Sequence, residues 1–313
     1  MQMTTVVTGA TGNVGSQVVR ELRDRGVPLR AFVRDPTRAA ERLGHDVELA
    51  VGDFSEAASV RRAMEGADAL LLACANHPCQ VAYETTAIDA AAAAGVRRIV
   101  KLSTIGAEVG SPLAFWDWQG RIERHLARSG VPAVVLRSNF YMSNLLAAAE
   151  PVRREGKLVA PAGGARIAMI DPRDVAAVAA VALTADGHDG RTYVLTGPEA
   201  ITYERVAEEL SVVAGRRVEF VDAPDEATRQ GLLATGAPEW FAENLVTLFG
   251  ILRQGAAAQA TGTVRALTGR EPRSFGEFAR DHAALFASSP PGQADSAVPR
   301  RSAERHRVIC PDS

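Results

Sequence analysis

The 313 residues carry a formal net charge of −2 and are 47% hydrophobic, enough apolar content to bury one large core or two joined ones. The near-neutral balance, with no long basic stripe, argues against a nucleic-acid partner. No apolar run is long and unbroken enough to span a membrane, so the expected location is the cytoplasm. The six histidines and the cysteines Cys74, Cys79 and Cys310 lack ligand spacing, so no metal is expected and the thiols are read as reduced.

The β-branched run Thr4-Thr5-Val6-Val7 reads as a buried strand. It leads into Thr8-Gly9-Ala10-Thr11-Gly12-Asn13-Val14-Gly15 and then a helix whose Val14, Val18, Val19 and Leu22 recur at helical spacing. Strand, glycine turn and helix in that order build an anion cradle. The unpaired amides at the helix start face a phosphate, and the glycines let the backbone approach it without a Cβ in the way. A dinucleotide pyrophosphate is the expected occupant, with Asn13 as an added side-chain donor. The second strand, Leu29 to Val33, ends at Arg34, with Arg38 a helical turn further on. A guanidinium there pairs with a ribose 2′-phosphate, so NADPH is expected over NADH. Asp35 is the competing observation, a ribose acceptor or, ahead of Pro36, a turn former.

Further strands are expected at Val47–Val51, Ala69–Ala73, Arg98–Leu102 and Ala133–Leu136. Ala87 to Ala94 reads as a helix ended by Gly95. Strands alternating with helices predict an α/β fold, a doubly wound Rossmann-type parallel sheet. Asp53, in Gly52-Asp53-Phe54 after the third strand, reads equally as an acceptor for an adenine amine or as a helix N-cap. Ala73-Cys74-Ala75-Asn76-His77 leaves the fourth strand with small residues that let a loop pass close to a cofactor, His77 being read as a bystander rather than an acid. Ser103 and Thr104 end the fifth strand, where a hydroxyl can point at a substrate carbonyl.

The expected organisation is a nucleotide-binding domain over 1–150, with 166–198 returning to it, and a smaller, mostly helical domain over 199–287. In the latter, Thr202 caps a helix ended by Gly215, and Val218 to Val221 reads as a strand. Trp240, Phe241, Leu245, Leu248 and Phe249 form an apolar face, and Ser274-Phe275-Gly276-Glu277 has the form of a capping box. Residues 288–313, rich in Pro, Ser and Arg, read as a flexible tail.

The spacing Gly-x-x-Gly-x-x-Gly resembles that of the short-chain dehydrogenases and reductases. In that superfamily a serine or threonine at the end of the fifth strand partners a Tyr-x-x-x-Lys pair on the next helix. Here Phe115 falls at the tyrosine position and Gln119 at the lysine position, so the usual proton donor and its cation are both missing. The stretch Trp116 to Leu146, including Arg137-Ser138-Asn139-Phe140-Tyr141-Met142-Ser143-Asn144, resembles the NmrA-like branch of atypical short-chain reductases. The likeness runs from roughly Met3 to Phe286 and recurs at Asp171-Pro172-Arg173-Asp174-Val175-Ala176 and Thr192-Tyr193-Val194-Leu195-Thr196-Gly197.

That resemblance implies a two-domain fold with an NADP(H) cleft between the domains. It carries cofactor contacts onto Gly9, Thr11, Gly12, Asn13, Val14, Arg34, Asp53, Phe54, Ala73, Thr104, Gln119, Asn139 and Phe140, with Arg38 joining Arg34 by its position. A glutamine amide at position 119 can donate a hydrogen bond to the cofactor's ribose or to a substrate oxygen, but cannot supply a proton near neutral pH. The family includes quinone, triphenylmethane-dye, benzylic-ether and polyketide reductases, and also non-catalytic cofactor sensors.

The expected function is NADPH-dependent reduction of a conjugated or aromatic carbonyl or quinone, a polyketide ketoreductase among the options. Thr104, Ser103 and Gln119 are the catalytic candidates, and Trp116, Trp118, Tyr141 and Trp240 are candidates for a flat substrate pocket, the competing reading of each ring being core packing. The rival functions are an NADP(H)-sensing protein that binds a protein partner, and a dehydratase or isomerase holding its cofactor structurally. A monomer or homodimer acting on a small molecule is expected.

Overall fold

The computed structural model describes residues 3–287; the tail expectation for 288–313 falls outside the described residues. Strands and helices alternate as β1 (Thr5–Val7), α1 (Gly15–Asp24), β2 (Leu29–Val33), α2 (Pro36–Leu43), β3 (Glu48–Val51), α3 (Ala57–Met64), β4 (Ala69–Leu72), α4 (Gln80–Ala93), β5 (Arg98–Thr104), α5 (Ala114–Leu126) and β6 (Ala133–Ser138). A 3-10 turn at Met142–Ala148 and α6 (Ala149–Glu155) then lead to β7 (Lys157–Ala160), α7 (Pro172–Thr184), β8 (Thr192–Leu195), α8 (Tyr203–Ala214), β9 (Glu219–Asp222), α9 (Asp225–Ala234) and α10 (Glu239–Arg253). Shorter helices at Thr263–Thr268, Phe275–Asp281 and Ala283–Phe286 follow.

Seven parallel strands form one sheet in the order β3-β2-β1-β4-β5-β6-β8. The order reverses between β1 and β4, and a crevice opens at such a switch point beyond the strands' carboxyl ends. Every residue of β1 and β4 is buried, as a central strand with helices on both faces requires. β5 and β6 run on past their apolar stretches to Thr104 and Ser138, because the polar pairs Ser103–Arg137 and Thr104–Ser138 still continue the ladder.

Helices α1 and α7 cover one face of the sheet; α3, α4 and α5 cover the other. Helix α7 is built almost wholly of Ala and Val and is buried nearly all round, which small side chains permit where a helix is pressed between a sheet and a second helix. A third core gathers Met142, Val152, Leu158 and Met169 with Tyr203, Leu210, Phe249, Phe278 and Phe286. Within it β7 and β9 pair in parallel as a separate two-stranded sheet. β7 is not marked in the sequence because its four residues, Lys157-Leu158-Val159-Ala160, are too few for a periodic pattern to show. Of the apolar face expected on α10, Phe249 is buried, while Leu245 and Leu248 pack part-buried against this core.

Local chemistry sets the helix ends. Asp35 accepts from the Arg38 amide and Thr202 from the Arg205 amide, and the capping box of Ser274 with Glu277 forms in both directions. Gly95 and Gly215 sit at positive φ, +75° and +65°, where the chain leaves α4 and α8. Two ion-pair groups tie α7 to the chain around residue 273–281: Arg173 bridges Asp171 and Asp281, and Arg273 reaches Asp174.

A tight backbone contact lies at the start of α1, where a Cβ on Gly15 would stand 2.2 Å from the Gly9 carbonyl oxygen. Replacing Gly15→Ala forces that turn open and is expected to cost about 1–3 kcal/mol. Urea unfolding measures this, and an unchanged midpoint would contradict the packing described.

Candidate active site

A cleft of about 1140 Å³ crosses the carboxyl ends of the central strands, from Arg34 and Arg38, past the β1–α1 turn, to Gln119, Tyr141 and Leu252. The turn is anchored by Thr8. Its hydroxyl faces the carbonyls of Leu71 and Ala73, both at 3.0 Å, and accepts from the Ala73 amide at 2.8 Å, joining the end of β1 to the end of β4. Gly9 then turns at φ +60°, and a Cβ there would meet the Ala73 carbonyl oxygen at 3.0 Å. The Gly12 amide closes the turn onto the Gly9 carbonyl at 2.8 Å. The amides of Thr11, Asn13 and Val14 take no partner among the described residues, so free donors stand at the positive end of α1. Asn13 directs its side chain across the cleft to Ser143, 3.2 Å away.

At one end stand two guanidiniums. Arg34 is 83% exposed and lies 3.9 Å from Asp53; Arg38 makes no ion pair among the described residues. Asp35, the competing acceptor, is occupied in capping α2. Asp53 is not the N-cap of α3, which is Glu56. Its carboxylate instead accepts from the amide and hydroxyl of Ser55. Although burial opposes it, these bonds and Arg34 hold the Asp53 carboxyl below its ordinary value. Phe54, Tyr83 and His77 make a stacked aromatic edge with ring centroids 6.2 and 5.3 Å apart. Burial and the neighbouring Arg34 lower the His77 pKa against the pull of Asp53, which favours the neutral ring. Tyr83 was missed in the sequence because nothing in its helix marks it as cleft-facing.

At the other end, Thr104, Gln119, Asn139, Phe140 and Tyr141 line the cleft together with Ile105, Leu113 and Asn144. Ser103 also borders it, but its hydroxyl donates to Glu123, which in turn holds Arg137, so Ser103 is committed to a structural group. Asn139 is likewise bonded through both side-chain atoms, to the Ala257 carbonyl and the Phe140 amide. Trp116 lines the cleft, its indole lying against Gly106, where a Cβ would clash at 2.4 Å. Trp118 and Trp240, expected in the pocket, pack instead on each other and on Phe115, with Phe241 joining the cluster between α5 and α10. Helical spacing explains the split, since Trp116 and Trp118 lie about 200° apart around α5.

Behind Gln119 stands a residue the sequence reading passed over. Lys101, in the middle of β5 and fully buried, donates to the Gln119 Oε1 at 2.7 Å and to the Leu102 carbonyl. It pairs with the buried Glu84 at 2.9 Å, and Gln80 donates to Glu84 at 2.8 Å. Burial pushes the Glu84 carboxyl up, opposed by Lys101 and Gln80. The available signal was a single charge inside the run Ile99-Val100-Lys101-Leu102. Cys74, also in the cleft wall, is a free thiol.

The donors present fit a dinucleotide: free amides at a helix start, a glycine turn folded tightly on its own backbone, and cations at one end. Among the described residues no group of His, Cys, Asp or Glu is placed to hold a metal, and no helix is long and apolar enough to cross a membrane.

The model of the NmrA-like family matches residues 1–279. The chain is 36% identical to an NAD(P)H azoreductase of Xenophilus azovorans, over 91% of this chain and 99% of that protein. It is 41% identical to a (4-alkanoyl-5-oxo-2,5-dihydrofuran-3-yl)methyl phosphate reductase of Streptomyces griseus subsp. griseus, over 90% of this chain and 99% of the relative. In structure it superimposes with a TM-score of 0.80 and 29% identity on an NADPH-dependent quinone oxidoreductase of Escherichia coli complexed with NADPH, covering 90% of this chain and 99% of that one.

Burial, reinforced by Glu84, pushes the Cys74 thiol up to about 12, so almost no thiolate exists at neutral pH. Cys74 should react with iodoacetamide at pH 8 on the order of a hundredfold more slowly than an unperturbed cysteine, and its rate should still be rising at pH 10. Peptide mass spectrometry follows the labelling; rapid modification at pH 8 would refute the assignment.

Proposed function

The chain belongs to the NmrA-like family, and on that premise we propose that it is an NADPH-dependent reductase of uncharged, conjugated acceptors of the quinone and azo type. The carrying observation is the division of charge along the cleft. Arg34, Arg38, Asp53 and His77 gather at one end, while the end around Thr104, Trp116, Gln119, Tyr141 and Leu252 has no charged lining residue among the described residues. A 2′-phosphate finds partners at the first end, and a flat neutral ring system finds apolar and aromatic surface at the second.

When bound, NADPH supplies a hydride to an electron-poor centre of the acceptor. The residues of the chain hold and orient. The β1–α1 amides and Arg34 with Arg38 bind the phosphates, Trp116 and Tyr141 flank the acceptor, and Thr104 and Gln119 offer hydrogen bonds to its oxygen or nitrogen. No side chain at that end is a ready proton donor; burial raises the Tyr141 hydroxyl, although Ser138 opposes the shift. A quinone needs none, because hydride addition gives a hydroquinone anion whose charge is delocalised and which takes its proton from water.

The relatives divide on substrate charge, since the Streptomyces griseus enzyme is named for a phosphate ester. A phosphate at the Gln119 end of this cleft would meet no cation, which favours the neutral class.

Two outcomes are expected. Oxidation of NADPH, followed by its absorbance, should be supported by neutral quinones and azo dyes, with phosphorylated acceptors of similar size poorer by about tenfold or more in kcat/KM. NADPH bound without turnover of any acceptor would favour a cofactor-sensing role instead. Replacing Arg34 and Arg38 together by Ala should raise the Kd for NADPH by about tenfold to a hundredfold and leave that for NADH nearly unchanged in calorimetry. Equal weakening of both nucleotides would refute the assignment of these two side chains.

A further inference from the structure

We propose that Lys101 and Glu84 are positioning residues that lock the Gln119 amide in one orientation, so that position 119 acts as an obligate hydrogen-bond donor to an oxygen acceptor in the cleft. This rests on the reductase reading for the identity of that acceptor, but the lock itself is a property of the chain.

An amide side chain normally has two orientations of similar shape, with oxygen and nitrogen exchanged. Here the choice is forced. Lys101 has three protons to give and nothing with which to accept one. Its Nζ stands 2.7 Å from the Gln119 Oε1, so turning the amide over would press an NH2 group against an ammonium in a fully buried place. Lys101 cannot swing away, because the Leu102 carbonyl and the Glu84 carboxylate hold it on two other sides. Glu84 is in turn held by Gln80 from one turn earlier in α4. The three elements β5, α4 and α5 thus fix one amide, and Gln119 itself is only 8% exposed, at the cleft wall.

With the oxygen taken by Lys101, Nε2 is the group left for a ligand. It suits a carbonyl or hydroxyl oxygen and disfavours a donor such as an ammonium or amide NH. Polarisation by the ammonium makes the amide a better donor than an isolated glutamine. The cation expected of the superfamily at position 119 is therefore present one shell deeper, acting through the amide and not on the ligand directly.

The test uses the full chain. The Gln119 side-chain amide is identified in a 15N–1H spectrum by its loss in Q119L, then followed on adding NADP+ and next a neutral quinone, a pair that cannot turn over. A shift with NADP+ alone assigns the acceptor to the nucleotide, and a shift only with quinone assigns it to the substrate. No shift in either step overturns the proposal. The paired substitution E84Q/K101M removes both charges together, so that neither is left alone in the core. It should displace the Gln119 amide signal in the free protein and lower kcat/KM on the order of tenfold. In a Q119L background the same pair should change kcat/KM by less than about twofold. An equal loss in both backgrounds would mean that the ion pair acts on stability alone and would overturn the proposal. Should E84Q/K101M not fold, the amide titration of the unmodified protein still decides. Calorimetry of NADPH on that protein is read separately, since failure to bind there overturns the reductase reading and not the lock.

Discussion

The cleft depends on the way the carboxyl ends of β1 and β4 are joined. Thr8 bridges the two strands with one hydroxyl, and beside that bridge Gly9 turns at φ +60° with the Ala73 carbonyl oxygen only 3.0 Å from where a Cβ would stand, a position that favours glycine. Helix α1 then starts against the Gly9 carbonyl, which excludes a Cβ at Gly15. The result is a turn whose spare amides point outward at the place where the strand order reverses. Moving any of these groups by an ångström closes the cradle or breaks the bridge, because packed backbone has no soft direction in which to give.

Around this junction the two ends of the cleft follow different physics. At the Arg34 end the groups are exposed and charged, so long side chains can adjust to a phosphate without having been desolvated beforehand. At the Gln119 end the polar groups are buried and already committed. Ser103 is tied to Glu123, Asn139 to Ala257 and Phe140, and Gln119 to Lys101. A wall of satisfied groups offers few free donors, and each one left over has a fixed direction. Such a surface selects ligands by shape and by the position of one or two acceptor atoms, and not by charge.

A buried ion pair between Lys101 and Glu84 is a poor source of stability, because two charges must be stripped of water. Its place directly behind a cleft-lining amide gives a reason to hold it there. Arg173 with Asp171 and Asp281, and Arg273 with Asp174, serve a different end: they lie where the sheet's covering helix meets the chain that completes the third core.

Much was legible in the residues alone. The buried run Thr5-Val6-Val7, the glycine turn and the amphipathic α1 could be read in order because their signals are local: β-branching, missing side chains and a 3.6-residue period. The caps at Thr202 and Ser274 and the breaks at Gly95 and Gly215 were equally readable, since each acts within a few residues of itself. What the sequence could not settle was direction. Trp116 and Trp118 are the same residue type two positions apart, yet one lines the cleft and the other packs under α10, and only the placement of that distant helix decides which. Lys101 reads as an odd charge in a strand until α4 brings Glu84, and α5 brings Gln119, to its tip. The two contacts of Lys101 join residues 17 and 18 positions apart in the chain, so no local pattern records them; they exist only once the helices close over the sheet.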